Sequence, residues 1–456
     1  MANVSSIASR VLMPLRTVRS TVAANLFNQL VVALSQIIVI PLLVAKWGTD
    51  GLGTWLLLTA IPNYLTISDF GFTTSAKSDM AMRAARGDHA GAQITVSSVA
   101  AMLFIALVGI GAIYLTAAFI VDWVRLLNLS GLNNNQAQMI LALGLIQIVG
   151  YQAFLLSASA IRAANMPTLE VMLSASFRLA ETTAFVIAAF MGSGLVGAAT
   201  AWAFSRLVAT AVLWTVLYFR LPSLVPRIGL IDWSRVKYLL KPSLSYVTLP
   251  LANAISIQGT MLVLGASNGP VVAATFATSR IVTRLGVSAA NVLNFAFVPQ
   301  YSYSAGRGDH EIFRGLLLSH CVALLSGTAL YIVFMLIFSN RFVSFLSHGE
   351  INANQTVLIL LAAAAAFEMI WTFATSVGSA LNRLGVMAIT WLMCALVGVS
   401  ALCIMRNNLD IVLVSSIVAA THATMLLAFF VWWKTSFQKT SDEQFGQRPS
   451  GPIDRR

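Results

Sequence analysis

Arg178 and Glu181, Arg206, Arg280 and Arg284, Glu368 and His422 all lie inside runs of residues that are otherwise apolar or small. The stretch SASFRLAETTAFVIAAF at 174–190 shows the pattern. Side chains of these types can pair with an opposite charge, pass a proton, or hold a charged ligand. Arg280 and Arg284, spaced i, i+4, share a helix face; Arg178 and Glu181, spaced i, i+3, can pair along one helix. Four arginines against two glutamates leave an excess of two positive charges with His422 neutral. Full internal pairing is therefore impossible. Surplus guanidinium charge suits an anionic ligand such as a pyrophosphate, which the planar fork can bind through two hydrogen bonds. In this reading Arg178, Arg206, Arg280 and Arg284 line a cationic cavity, Glu181 orients or moderates Arg178, and Glu368 belongs to the same wall. Interhelical salt bridges are the competing reading of the same residues.

The elements that carry these charges must be membrane helices. The chain has 456 residues, of which 58% are hydrophobic and only 10% charged, with a mean hydropathy of +0.82. A soluble domain carries about 25% charged residues, so this composition predicts an all-α polytopic membrane protein. A crossing takes about 20 apolar residues. Twelve segments qualify: 22–45, 51–68, 94–119, 137–160, 169–191, 195–219, 243–266, 271–298, 313–338, 355–380, 386–405 and 410–433. A centrally placed arginine costs roughly 2.5–3.5 kcal/mol on insertion scales, so each needs a partner or a watery cavity. Placing both termini in the cytoplasm puts 20 of the 28 Lys and Arg residues on the inner side and four outside, as the positive-inside bias requires. The net charge of +12 follows mostly from that bias and argues against nucleic acid as a partner. Membrane lipids are expected neighbours. Cys394 and Cys403 stand roughly 13 Å apart along one helix, too far to bridge.

RGDH occurs at 86–89 and again at 307–310, a shift of 221 residues. The same shift relates Thr54-Trp55 to Thr275-Phe276 and, within a residue, the region before Arg162 to that before Arg383. Two pseudo-symmetric six-helix bundles in parallel repeat follow: a cytoplasmic segment 1–21, a lobe 22–219, a cytoplasmic linker 220–242, a second lobe 243–433 and a cytoplasmic tail 434–456. In transporter folds of this kind the binding site lies at the repeat interface. The first helices of both lobes carry amides and hydroxyls, among them Asn25 and Gln29 in one and Asn253, Ser256 and Gln258 in the other, which can hydrogen-bond sugar hydroxyls or neighbouring helices. Pro62 and Pro250 fall inside spans, where each removes a backbone donor and kinks or hinges the helix.

The segment GLGTWLLLTAIPNYLTISDFGFTTSAKSDMAMRAARGD (51–88) resembles the second helix and following loop of polysaccharide transporters. These form the O-antigen flippase branch of the multidrug/oligosaccharidyl-lipid/polysaccharide exporter superfamily. The matching features are Gly53 and Trp55, Asp69-Phe70-Gly71-Phe72 at the helix end, and Gly87-Asp88 before the next helix. The resemblance implies a flippase that moves undecaprenyl-pyrophosphate-linked oligosaccharide, an O-antigen or exopolysaccharide repeat unit, across a bacterial inner membrane. It makes Asp69 and Gly71, with Pro250, candidates for gating, and polysaccharide-assembly proteins candidate partners. The alternatives are a cation-coupled multidrug exporter of the same superfamily and a membrane glycosyltransferase or polymerase. Such exporters typically carry a membrane carboxylate in the first helix, which 22–45 lacks; a polymerase needs clustered carboxylates or large surface loops, also missing. No Walker motif, metal-ligand spacing or nucleophile triad is present, so no enzyme activity, cofactor or metal is expected. Coupling to H+ or Na+ stays open.

Overall fold

The computed structural model describes residues 2–164, 166–307, 310–381 and 385–434. Among them there is no strand; the chain is a membrane bundle of α1 (Ala2–Leu65), α2 (Phe72–Ala85), α3 (His89–Ile120), α4 (Trp123–Leu126), α5 (Asn134–Ala163), α6 (Pro167–Phe190), α7 (Gly194–Arg220), α8 (Trp233–Ala254), α9 (Thr260–Asn268), α10 (Pro270–Arg307), α11 (His310–Leu346), α12 (Gln355–Ala380), α13 (Gly385–Ile404) and α14 (Ile411–Trp432). Among the described residues, eleven helical stretches are long and apolar enough to cross a membrane. One of them, Phe27–Leu65, has 39 residues. Its length of roughly 58 Å is almost twice a hydrocarbon core of about 30 Å. The helix is broken at Gly48, whose φ of 68° and ψ of −180° are not helical. The break separates the first two predicted spans and restores a count of twelve.

Side-chain caps set many of the ends. Asp88, Asp122, Asp232, Asn354 and Asp410 each accept a backbone N–H from the first turn that follows. Asn133 and Gln136 form a reciprocal capping box at the start of α5, satisfying donors that a helix start otherwise leaves open. The helices form two bundles. In the first, α5 packs on α7, α1 on α6, and α2 on α3 and α5; in the second, α10 packs on α11 and α12, α12 on α14, and α13 on α8 and α14. The bundles meet chiefly along α1 and α10, with α2 against α8. Trp55 anchors the first bundle, its ring 4.7 Å from Phe185 and 5.7 Å from Trp202.

Several boundaries differ from those expected. Helix α1 begins at Ala2, inside the expected N-terminal segment, and α10 and α11 run past 298 and 338 to Arg307 and Leu346. The expected span 243–266 is one crossing, Tyr246–Asn268, within which α8 passes through a π-helical turn over Ile255–Gly259 into α9. Half of the expected linker 220–242 is the first turns of α8. The rest is fastened to α3: Gln93 donates to the Val225 carbonyl, and the Arg227 and Asp232 amides donate to Ser97 and Ser98 hydroxyls. The second RGDH copy includes Gly308 and Asp309, outside the described residues; the first is a capped turn, with Gly87 at φ 76°.

Candidate functional site

Three helical positions separate Arg178 from Glu181, yet the two side chains part company. Glu181 is buried and Arg178 is exposed. The expected pair along α6 does not form. Glu181 Oε2 instead accepts from Arg206 Nη2 of α7 at 2.5 Å. The guanidinium lies 5.3 Å from the Tyr151 and Phe154 ring centroids, cation–π contacts that offset part of its desolvation. The pair is incompletely satisfied, because Glu181 Oε1 and Arg206 Nε are buried without a hydrogen-bond partner.

In the second bundle the pair is stronger. Arg284 of α10 grips Glu368 of α12 through both nitrogens, Nη1 to Oε2 at 2.5 Å and Nη2 to Oε1 at 2.8 Å. His422 of α14 places Nε2 3.9 Å from the same carboxylate, and the Trp371 indole donates to its Nδ1 at 3.4 Å. That donor assigns the His422 proton to Nε2, facing Glu368. Arg280, one turn before Arg284, points elsewhere. It is 6% exposed and donates through Nη1 to the Ser256 carbonyl at 3.1 Å. Ser256 belongs to the π-helical turn, and its carbonyl also accepts from the Thr260 hydroxyl.

Each intramembrane glutamate therefore takes one arginine. Among the described residues, Arg178 and Arg280 are left without a carboxylate at ion-pair distance. The interhelical salt bridges and the cationic surplus, opposed as readings of the sequence, are both present in the structure. The four arginines are divided between environments: Arg178 open, Arg280 enclosed, Arg206 and Arg284 clamped.

The motif residues converge on a different place. Asp69, Gly71 and Pro250 line one cavity of about 320 Å³ together with Lys77, Tyr151 and Glu170. Asp69, three residues before α2, caps its start, accepting from the Gly71 and Thr73 amides at 3.2 and 3.3 Å and from the Thr73 hydroxyl. Gly71 has φ 77°, and a Cβ there would lie 2.4 Å from the Ser243 carbonyl oxygen of α8. This glycine lets the two bundles touch backbone to backbone. Pro250 sits inside α8, five residues before the π-helical turn. Gln29 is half-buried on α1, and the Asn25 side chain lies outside the described residues. Asn253 accepts from the Trp391 indole at 2.8 Å.

Lys77 was missed because α2 reads as a polar loop. Its amine makes no ion pair among the described residues. Burial pushes its pKa down, the Arg162 charge beside it adds to the fall, and Glu170 opposes it. Glu170 itself is tied to Arg162 by an ion pair. The signal for Lys77 lay in the resemblance segment, where it follows the Asp69–Phe72 motif by one and a half turns.

No protein-family model and no curated protein matches this chain. Solved structures do. An inward-facing multidrug-resistance MATE family transporter of the MOP superfamily matches with a TM-score of 0.75 at 15% identity, over 91% of this chain and 96% of that one. A eukaryotic MATE transporter matches with a TM-score of 0.62 at 14% identity, over 95% and 99%. A MOP superfamily transporter from Pyrococcus furiosus, described as having a binding pocket of reverse polarity, matches with a TM-score of 0.56 at 14% identity, over 92% and 96%. The fold is that of MOP superfamily transporters, with twelve membrane helices in two bundles.

Proposed function

We propose that this chain is an alternating-access transporter that flips an anionic lipid-linked oligosaccharide across a bacterial inner membrane, with both termini cytoplasmic. One observation carries the reading: after Glu181 and Glu368 have each taken an arginine, Arg178 and Arg280 remain without a carboxylate. A pyrophosphate would meet the exposed charge of Arg178 directly and that of Arg280 once its enclosure against Ser256 opens, and Lys77 adds a third cation in the Asp69 cavity. Drug cations would be repelled by the same surplus. The polysaccharide-type motif at 51–88 supports the glycan, while the descriptions of the structural neighbours favour the second reading, a cation-coupled multidrug exporter. The Pyrococcus furiosus neighbour, with its reversed pocket, is a reminder that one fold hosts pockets of either sign.

The readings separate in proteoliposomes. Under the flippase reading, the protein accelerates transbilayer movement of a short-chain polyprenyl-pyrophosphate disaccharide and leaves the efflux of ethidium at background. Arg178→Ala or Arg280→Ala lowers that rate at least ten-fold at unchanged protein level, with partial recovery for lysine, a point charge without the bidentate fork. Ethidium transport that survives both alanine variants would transfer the proposal to the exporter.

A further inference from the structure

The second bundle carries a groove apart from every residue discussed so far. It has a volume of about 600 Å³ and is walled by α11, α12 and α14, through side chains such as Leu318, Cys321, Phe373, Phe429 and Trp433. Among the described residues, no helix of the first bundle and none of the intramembrane arginines lines it. Among the described residues the walls are apolar with one exception, Arg314, which stands at the start of α11. Arg314 is exposed and makes no ion pair among the described residues. Glu311, one turn earlier on the same helix, does not pair with it. The exposed Lys434 follows Trp433 at the end of α14, adding a second basic residue beside the groove wall.

Depth fixes what the groove can hold. Its lining along α11 runs from Arg314 to Leu325, eleven helical rises or roughly 16 Å. One leaflet of hydrocarbon is about 15 Å thick, half the core. The groove thus spans a single leaflet, with its cation at the headgroup level and an indole, Trp433, at the same end where membrane proteins place aromatic anchors. We propose that this groove is a site for an anionic phospholipid of the bilayer, one acyl chain lying along Leu318 and Cys321 and the phosphate meeting Arg314. A zwitterionic lipid fits the apolar walls equally well, but its ammonium cancels the attraction that basic side chains exert on anionic headgroups.

Cys321 is a built-in reporter, since it lines the groove while Cys394 and Cys403 do not. The intact protein is purified in detergent, and alkylation of each cysteine by N-ethylmaleimide is followed by mass spectrometry against added lipid. Phosphatidylglycerol should slow the reaction of Cys321 selectively. Phosphatidylcholine with the same acyl chains should need about five-fold more lipid, the factor corresponding to about 1 kcal/mol per basic side chain near an anionic surface. Arg314→Gln should erase that difference and Arg314→Lys should keep most of it. Equal protection of the parent protein by both lipids, protection by inorganic phosphate alone, or protection by undecaprenyl phosphate at far lower mole fraction than phosphatidylglycerol would each overturn the assignment.

Discussion

At the scale of single residues, the charges inside the membrane are paired by geometry that can be dissected. Removing one partner of a buried ion pair leaves the other charge uncompensated, a loss of about 3–5 kcal/mol. Glu368→Gln should therefore lower the melting temperature sharply, because Arg284 loses its opposite charge and one of its two acceptors and faces an amide NH2 in that acceptor's place. Glu368→Gln combined with Arg284→Met should recover most of it. Additive losses in the double variant would show that the two side chains do not act as a pair. Lys77 offers a pH test outside the spans. Its lowered pKa means that folding disfavours the charged amine. The cost is present at neutral pH and is relieved as pH rises through the lowered pKa; the neutral form, which reacts with acylating reagents, is available earlier than for an ordinary lysine. Inorganic pyrophosphate bound in the cavity should draw the proton back. The pH profile of Lys77 acylation, read by peptide mapping, should move to higher pH when pyrophosphate is added. A profile indifferent to the anion would remove Lys77 from any anion site. The intramembrane charges themselves were plain in the sequence, since an Arg in an apolar run is conspicuous. Their partners were not. Adjacency of α6 to α7, and of α10 to α12, is a property of packing, and the tempting i, i+3 pair of Arg178 and Glu181 failed because Glu181 turns into the bundle toward Arg206 while Arg178 stays exposed.

Helices and their breaks form the next scale. Glycines decide where the bundles approach. Gly71 needs both a left-handed backbone and empty space against Ser243, whereas Gly87 needs only the backbone, with nothing within 4 Å of an added Cβ. Gly87→Ala should cost about 1–2 kcal/mol of local strain and leave transport intact. Gly71→Ala carries the same strain plus a collision with α8, and should reduce transport well below the Gly87 variant at equal membrane abundance. Similar rates for the two would remove the interface from the mechanism. The span count was legible because apolar length is a direct consequence of bilayer thickness. The π-helical turn was not. Pro250 signalled a disturbance in α8, but the wider turn that lets the Ser256 carbonyl receive Arg280 depends on a neighbour 24 residues away. The second half of the expected linker was misread for a related reason: WSRVKYLLKPS is polar enough to look like a loop, yet Asp232 caps it as the start of α8.

For the molecule as a whole, contacts on the side where Gly48 breaks α1 bind the two bundles. A Cβ on Gly53 would lie 1.9 Å from the Pro270 carbonyl oxygen, and Asn128 donates to the Ala266 carbonyl at 3.1 Å. If the bundles rock during transport, this end must open. Asn128→Cys with Ala266→Cys, in a background lacking the three native cysteines, should form a disulfide that stops transport and is reversed by reductant. Full transport with the bond closed would exclude rocking at this end. The two ion pairs also differ in a way that matters before the protein is complete. Glu181 and Arg206 are 25 residues apart on consecutive helices, so both leave the ribosome almost together and can enter the bilayer already matched to one another. Arg284 and Glu368 are separated by 84 residues. At synthesis rates of about 5–20 residues per second, Arg284 is made roughly 4–17 s before its partner exists. During that interval α10 carries Arg280 and Arg284 with no partner carboxylate made, so releasing α10 into lipid ahead of α12 costs more than releasing α6 and α7 together.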